Sequence, residues 1–312
     1  MQILLELSFI MDKRKEGIAL FITLMVIASI MSIIAVSFSY LEKVQKDAGA
    51  TSAIIQGDLL YKNTISILKR FFPKGQDNSE KLKLIYTMPL ILSEPKSGFA
   101  LNLSCQPLLT GVPISWLDKA NTGNNVEKIN LAKNVLTLVM EQYEIEEPAR
   151  LEELIFFEIR GRVNQNSDYQ PRINTQKGIV SKNQFDRILS NYRLLYDDPK
   201  AQNVPWERYF SFSQVDAKTK IDGIYLTAEF ISVAFEIPIE IVQDSWIVGE
   251  STLLTFLREN SIIAPVNKNI YSNKALSAMH CEQTYAYKDG QYKFNFDYIE
   301  GRSGNFEFNG KE

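Results

Sequence analysis

The fold is decided by the stretch IALFITLMVIASIMSIIAVSF, residues 18–38, which contains no charge, proline or glycine. Seventeen of its twenty-one residues are apolar, and the exceptions are Thr23, Ser29, Ser32 and Ser37. A helix of this length extends about 30 Å, which is the thickness of the hydrocarbon core of a bilayer. Residues 18–38 therefore predict a single membrane-spanning helix.

The charges on either side of this stretch predict its orientation. Lys13, Arg14 and Lys15 directly precede it, whereas the nearby positions after it offer only Lys43 and Lys46. Because basic flanks tend to stay in the cytoplasm, we expect a cytoplasmic amino terminus and a body on the other side of the membrane. A cleavable secretory signal is the alternative, but it needs an apolar run of only about 7–15 residues followed by a small-x-small site.

The helical pattern continues beyond the apolar stretch. Apolar residues recur along residues 39–72 at steps of three and four or their sums, which predicts an amphipathic continuation of the same helix. They are Leu41, Val44, Ala48, Ile55, Leu59, Ile65, Leu68 and Phe72. Residues 18–72 are thus predicted to form one helix of about 80 Å, whose second half packs on a soluble domain.

This arrangement resembles the type IV pilin-like subunits. Residues 11–17 read MDKRKEG, a short charged leader that ends in Gly17 directly before the apolar run. In that family a prepilin peptidase cuts after the glycine and methylates the new terminus, so the resemblance implies cleavage between Gly17 and Ile18. Residues 1–17 would form the leader, and whether the chain starts at Met1 or Met11 stays open.

One position departs from the pattern of most pilin-like subunits and makes one kind of subunit the better match. Most pilin-like subunits carry Glu at the fifth mature position, which is Ile22 in this chain. The large K-type minor pseudopilin of type II secretion regularly lacks that Glu. The resemblance implies an inner-membrane protein with a periplasmic body at the pseudopilus tip. Its partners would be the I-, J- and H-type minor pseudopilins and the major pseudopilin, with the prepilin peptidase as processing enzyme.

The remaining residues predict an α+β body in three parts. Residues 73–111 are predicted to form pilin-like strands at 82–92 and 99–103, because apolar and polar residues alternate there. Residues 112–260 are predicted to be an inserted helical domain. Its helix starts are marked by capping residues and prolines, namely Asn124, Pro148, Ser181, Thr227, Pro238 and Ser251.

The last part, residues 261–312, is predicted to complete an antiparallel sheet. Aromatic residues alternate over 285–298 around Asp289-Gly290, a pattern typical of a tight hairpin. Residues 305–309 predict a further strand. The fold expected from the whole sequence is therefore a long amino-terminal membrane helix packed on a small pilin-like sheet, with a large helical domain inserted.

Two cysteines and one histidine are the residues with candidate side-chain chemistry. Cys105 and Cys281 could form one disulfide in an oxidising compartment, but sequence alone does not supply the Cα separation. His280 next to Cys281 raises the weaker alternative of a Cys–His dyad. The three tryptophans, Trp116, Trp206 and Trp246, are expected to be core or interface anchors.

Calcium binding is a further property of the resembled family. The family's acidic motif corresponds here to residues 152–158, where only Glu152, Glu153 and Glu158 are acidic, and Asp168 is one downstream candidate. Calcium prefers six to eight oxygen ligands, which this degraded motif does not supply. We therefore predict no cofactor, and calcium binding stays open as a property that the resemblance implies.

Composition excludes several other classes of protein. Hydrophobic residues make up 45% and charged residues 23%, which indicates a folded chain rather than a disordered one. The net charge of −3 provides no basic field for nucleic acid. Neither a phosphate-binding loop nor a G-x-S-x-G or H-E-x-x-H motif occurs, so no enzyme is predicted.

Two alternatives share parts of this pattern. A minor pilin of a type IV pilus or DNA-uptake system would carry the same anchor. An uncleaved single-pass membrane protein with a periplasmic binding domain would keep the Gly17–Ile18 bond intact. The exported substrate is not specified by the sequence.

Overall fold

The computed structural model describes residues 2–94, 99–160, 178–264, 266–287 and 290–311, although side chains are described only in part before residue 51 and at a few segment ends. The chain forms two compact units, Met1–Leu59 and Leu60–Glu312. The second unit contains the end of the first helix, from Leu60 onward, and every later helix and strand that the structure describes.

The first elements in chain order are three helices, one of them a 3-10 turn, and three strands. They are α1 (Gln2–Phe71), α2 (Ser79–Thr87), β1 (Leu90–Glu94), β2 (Phe99–Pro107), β3 (Val112–Pro113) and the 3-10 turn Ile114–Leu117.

Helices dominate the middle of the chain. They are α3 (Lys119–Thr122), α4 (Val126–Gln142), α5 (Pro148–Arg160), α6 (Lys182–Tyr196) and α7 (Lys200–Asn203), then a 3-10 turn (Trp206–Arg208), β4 (Phe210–Ser211), β5 (Ile221–Asp222), α8 (Ala228–Phe235), α9 (Ile239–Ser245) and α10 (Leu253–Glu259). The last elements are β6 (Tyr271–Ser272), β7 (Ala278–Tyr287), β8 (Gly290–Ile299) and β9 (Arg302–Lys311).

The long amino-terminal helix is continuous, as its sequence pattern predicts. Helix α1 is 70 residues long and includes the whole of residues 18–71. Across the residues whose side chains are described, no helix combines the length and the apolar character that a membrane crossing requires. The side chains of residues 18–24, the first third of the predicted span, lie outside that set.

The sheet confirms the predicted α+β class. Five antiparallel strands lie in the order β1-β2-β7-β8-β9, so β2 pairs with a strand that begins about 170 residues later in the chain. The helical lobe, defined here as α3–α10 with the short strands β3–β6, is inserted between β2 and β7. Within it, β3 pairs with β4 and β5 with β6, each in parallel.

Each part of the second unit has its own hydrophobic core. The last turns of α1 bury Ile65 and Leu68 against the sheet, and Phe72 directly after the helix is buried there too, where Phe294 and Phe296 alternate along β8. The core of the helical lobe is larger and contains all three tryptophans, with Trp116 and Trp206 fully buried and Trp246 5% exposed. The tryptophans are therefore core residues, one of the two roles expected for them.

One predicted strand is wrong. Residues 82–92 were expected to be extended, but Leu82 to Thr87 belongs to α2 and only β1 is a strand. Alternation suggested that Leu82 and Leu84 share a face, yet Leu84 is 54% exposed. The residues that pack on the core are Leu82, Ile85 and Tyr86, which follow the three- and four-residue spacing of a helix.

The helix starts are confirmed at some positions and displaced by one residue at others. Helix α5 begins at Pro148, and the hydroxyls of Ser181 and Thr227 cap α6 and α8. The cap of α4 is Asn125 rather than Asn124, and that of α10 is Thr252 rather than Ser251. Asn124 cannot cap because its φ is +63°, whereas an N-cap needs an extended backbone.

The carboxy-terminal strands match the prediction closely. Strands β7 and β8 form a hairpin in which Tyr287 pairs with Gly290, and Asp289 of the predicted turn lies outside the described residues. The strand predicted at 305–309 is part of the longer β9.

A buried lysine holds one loop of the helical lobe. Lys128 of α4 is 2% exposed, and its ammonium donates to the carbonyl oxygens of Ala217 and Thr219 at 2.8 and 2.7 Å. The same ammonium lies 4.6 Å from the centre of the Trp116 ring. Its charge is thus satisfied by two carbonyls and an aromatic face rather than by a carboxylate.

We predict that Lys128→Met destabilises the chain by about 1–3 kcal/mol, because the carbonyls of Ala217 and Thr219 lose the donor that the buried Lys128 provides. Chemical denaturation of the purified full-length chain measures this difference. Lys119→Met, which changes an exposed lysine of α3, should stay close to wild type. Equal stability of the Lys128 variant and wild type would contradict the role given to this ammonium.

Candidate assembly site

The contact between the end of α1 and the sheet is fixed by one buried hydrogen bond. Thr64 donates its hydroxyl to the side-chain oxygen of Gln283 on β7 at 2.8 Å, across 219 residues of sequence. Thr64 is 8% exposed and Gln283 is fully buried. If α1 shifted along the sheet, Thr64 and Gln283 would lose their hydrogen bond inside an apolar contact. This bond therefore sets the register of the helix on the sheet.

Aromatic rings surround that hydrogen bond. Tyr61 of α1 contacts Phe296 edge-on, with ring centres 5.4 Å apart, and also meets Phe294 and Phe306. Tyr285 and Phe294 extend the cluster across β7 and β8. The last three turns of α1 therefore lie on a largely aromatic surface of the sheet.

A disulfide joins the two strands that enclose the insertion. Cys105 of β2 and Cys281 of β7 are directly paired in the sheet, with Cα atoms 4.1 Å apart, and their sulfurs are bonded. Both residues are buried in the core that also holds α1. The bond closes a loop spanning 176 residues of sequence, which includes the entire helical lobe.

The single histidine takes part in a polar cluster instead of a catalytic dyad. Nδ1 of His280 lies 2.7 Å from Oδ1 of Asp297 on β8, and the side-chain amide of Asn305 donates to the other carboxylate oxygen. The hydrogen bond to Asp297 raises the pKa of His280. Because the sulfur of Cys281 is in a disulfide, this fold holds no Cys281 thiol for His280 to activate.

A buried carboxylate lies where the helical lobe joins the sheet. Asp222 accepts hydrogen bonds from the backbone N–H groups of Leu276 and Ile224 at 2.8 and 3.0 Å. Burial raises the pKa of Asp222 to about 7, although the backbone donors oppose that shift. Nearby, Tyr86 of α2 donates its hydroxyl to the carbonyl oxygen of Ala278.

A cleft of about 630 Å³ separates the helical lobe from this side of the sheet. His280 and Asp297 line it from the sheet, and Phe212 and Thr227 line it from the lobe. Within the described parts of the chain, no three histidine, cysteine or acidic side chains converge as metal ligands. His280 and Asp297 bind each other from neighbouring strands of the sheet, whereas the side-chain oxygen of Asn295, which also lines the cleft, has no hydrogen-bond partner in the residues that the structure describes.

Two acidic residues of the degraded calcium motif each contact a different side chain. Glu153 pairs with Arg150 on the surface of α5 at 3.1 Å. Glu158 accepts from the side-chain amide of Gln184 at 2.9 Å. Asp168 lies outside the described residues.

The residues of the predicted cleavage site fall within α1. Gly17, Ile18 and Ile22 are all helical, and their side chains lie outside the described set. Farther along, Ser29 and Ser32 are exposed, and their hydroxyls donate to the carbonyl oxygens of Met25 and Ala28. These serines satisfy their hydrogen bonds within the helix and leave a smooth surface.

Sequence reasoning missed the polar residues that fix this site. Thr64, Asp222, Gln283 and Asp297 are all buried and hydrogen-bonded across long sequence separations. For Gln283 a signal was present, since it occupies a core position of β7 between Cys281 and Tyr285. A polar residue at a core position of an alternating strand indicates a buried partner.

Comparison with known proteins reveals a similar fold among the solved structures. No protein-family model and no curated protein sequence match this chain. A chain in the crystal structure of the GspK-GspI-GspJ complex of the enterotoxigenic Escherichia coli type 2 secretion system does match, with a TM-score of 0.50 and 12% identity. The match covers 84% of this chain and 97% of that one. At this identity the match shows that this chain shares its fold with a chain of that complex.

We predict that reduction of the Cys105–Cys281 bond lowers the free energy of unfolding by about 2–5 kcal/mol, because the unfolded chain regains the entropy of a long loop. Denaturation with and without reductant measures the loss. A Cys105→Ala/Cys281→Ala double variant serves as control and should not respond to reductant. Identical curves for wild type in both conditions would contradict the prediction.

The His280–Asp297 pair predicts a defined pH dependence. The pKa of His280 is higher in the folded chain than its ordinary value of 6.5. The pair therefore stabilises the fold fully below about pH 6.5, and that contribution is lost as the pH rises through the raised pKa. Relative to His280→Gln, wild type should lose stability as the pH rises above about 6.5 and through the raised pKa of His280. Denaturation series across this range measure the difference, and a constant gap at every pH would refute a charged pair.

Proposed function

We propose that this chain is a K-type minor pseudopilin of a type II secretion system, located at the pseudopilus tip and initiating its assembly for protein export across the outer membrane. The observation that carries the proposal is the fold similarity to a chain of the GspK-GspI-GspJ complex over 84% of this sequence. The leader-like residues 11–17 and the uncharged residues 18–38 support it independently of the fold.

The amino-terminal residues act as a removable leader and an anchor in this proposal. Peptidase cleavage between Gly17 and Ile18 frees a helix whose residues 18–38 lie in the inner membrane, with the body in the periplasm. Ile22 replaces the usual Glu, so this subunit offers no carboxylate to the amino terminus of a neighbour. Helices in lipid associate through close packing, and Ala28, Ser29, Ser32 and Ala35 provide small residues for such approach.

The size of the body favours a position at the tip. About 240 residues follow α1, and the helical lobe projects from the sheet between β2 and β7. A body of this size, larger than a typical single domain, is difficult to repeat along a close-packed helical shaft. A single copy at one end avoids that conflict.

The partners follow from the same proposal. The similar chain was solved together with GspI and GspJ, and we propose I-, J- and H-type minor pseudopilins as neighbours of this chain. The major pseudopilin would join below them, and the prepilin peptidase would process the chain. The match to a secretion complex favours this assignment over a type IV pilus or DNA-uptake system.

We propose a structural rather than an enzymatic role. The polar side chains of the candidate site are engaged with each other or with backbone groups: His280 with Asp297, Thr64 with Gln283, and Asp222 with two N–H groups. The first pair lies within the sheet, the second joins α1 to the sheet, and Asp222 joins the lobe to the residues before β7, so these side chains support packing.

The test is a Gly17→Asp variant, which we expect to block cleavage because the carboxylate replaces the glycine that the peptidase requires. Cells lacking the wild-type chain should accumulate the variant with its leader and should fail to export the secreted protein. Gly49→Asp, at a glycine with open space around its Cα, controls for a charge elsewhere in α1. Normal processing and export by the Gly17 variant would overturn the proposed function.

A further inference from the structure

One edge of the sheet is open and apolar. Strand β1 pairs only with β2 among the described residues, so its other side is an edge. Its three aliphatic residues are all exposed: Leu90 by 45%, Ile91 by 68% and Leu92 by 49%. Successive residues of a strand point to opposite faces. Both faces of β1 are therefore accessible, which is unusual for aliphatic residues that lie side by side.

The disulfide reveals which backbone groups of β1 face outward. A Cα separation of 4.1 Å places Cys105 and Cys281 in a pair without mutual backbone hydrogen bonds. Backbone groups of successive residues in a strand point alternately to its two neighbours. Leu101 and Leu103, four and two residues before Cys105 in β2, therefore direct their N–H and C=O groups away from β7 and toward β1. Their partners in β1 are Leu92 and Leu90.

It follows that Leu90 and Leu92 use their backbone groups within the sheet. Ile91 and Ser93 alternate with them, so their N–H and C=O groups point away from β2 at the open edge. The open edge of β1 thus presents two N–H donors and two C=O acceptors. Another strand, antiparallel or parallel, can pair with these groups.

The opposite edge of the sheet is protected. Strand β9 carries charged residues at Arg302, Glu307 and Lys311, and its pairing with β8 is interrupted by two register shifts. Charges and bulges are the common means by which proteins prevent edge strands from pairing with other chains. Strand β1 has no such register shift, and its one charged residue, Glu94, is at its last position, so the aliphatic residues Leu90–Leu92 lack the protection found at β9.

The length of β1 restricts what can occupy it. Five residues extend about 17 Å, and pairing along that length buries much less than the about 800 Å² per partner of a standard stable interface. Two copies of this chain could not be held together by β1 alone. The occupant must already be kept close by other contacts, which raise its effective concentration at the edge.

We infer that the outer edge of β1 pairs with an extended strand from a neighbouring subunit of the assembly. This inference rests on the proposed function, because packing of the amino-terminal helices is what holds the neighbour in place. The strand would accept and donate hydrogen bonds at Ile91 and Ser93 and would cover the aliphatic side chains on both faces. Main-chain pairing of this kind tolerates varied partner sequences, with the side-chain contacts providing selectivity.

Site-specific photo-cross-linking in the native cells tests the inference. Benzoylphenylalanine replaces Ile91 at the edge, Ile55 on α1, or Leu195, an exposed residue of α6, in otherwise unchanged full-length chains. We expect Ile91 and Ile55 to cross-link to other pseudopilin subunits and Leu195 to give much less product. Mass spectrometry should map the Ile91 product to a segment predicted to be extended.

The remaining outcomes separate the two proposals. Cross-links from Ile55 without any from Ile91 would overturn the β1 inference and leave the proposed function standing. An Ile91 product with a second copy of this chain, or with a helical segment, would also overturn the inference. Absence of pseudopilin cross-links at both positions would overturn the proposed function as well.

A pair of variants tests the backbone contribution. Ser93→Pro removes an outward N–H and should remove most of the Ile91 cross-link while leaving the melting temperature unchanged, since edge strands tolerate proline. Leu92→Pro removes an N–H that bonds to β2 and should lower the melting temperature. Full cross-linking in a stably folded Ser93→Pro chain would show that strand pairing is not the mode of contact.

Discussion

The pairing of β2 with β7 is the contact on which the rest of the structure depends. It joins strands that lie before and after the helical lobe, and the disulfide between Cys105 and Cys281 lies within it. The N–H of Leu108 donates to the carbonyl oxygen of Ala278, so the chain enters and leaves the lobe at one place. The sheet can therefore carry a large insertion and still present an uninterrupted surface to the end of α1.

The local parts of this fold could be predicted from the sequence. The hairpin of β7 and β8 follows from alternating aromatic residues, and Ser181 and Thr227 cap their helices as expected. Errors arose where two patterns compete. Leu82 and Leu84 are two residues apart, which is the spacing of a strand. The residue that packs on the core together with Leu82 is instead the partly buried Tyr86, four residues later, which is the spacing of a helix.

The candidate site was less predictable because it depends on contacts between distant residues. Nothing local to Thr64 indicates that it bonds to Gln283, and the two are 219 residues apart. Cys105 and Cys281 were recognised as a possible pair only because the chain has two cysteines. The open edge of β1 is recognised from the exposure of its side chains and from which of its backbone groups face away from β2. A sequence pattern contains neither.

Together these features describe a sheet that is held to α1 and to the helical lobe by specific buried contacts. One buried hydrogen bond sets the register between α1 and the sheet, a disulfide closes the sheet around the lobe, and Asp222 accepts from the backbone N–H of Leu276 where the lobe joins the sheet. The surface left for contact with other chains is aliphatic and carries unpaired backbone groups at β1. This distribution suits an assembly subunit, as the proposed function requires.

Mass spectrometry of the amino-terminal peptide, from the native chain purified out of its own cells, decides whether residues 1–17 are removed. We expect a mature chain that starts at Ile18 with a methylated amino group. A native chain that retains residues 11–17 would contradict that expectation, because the helix could not then leave the membrane as part of a pseudopilus.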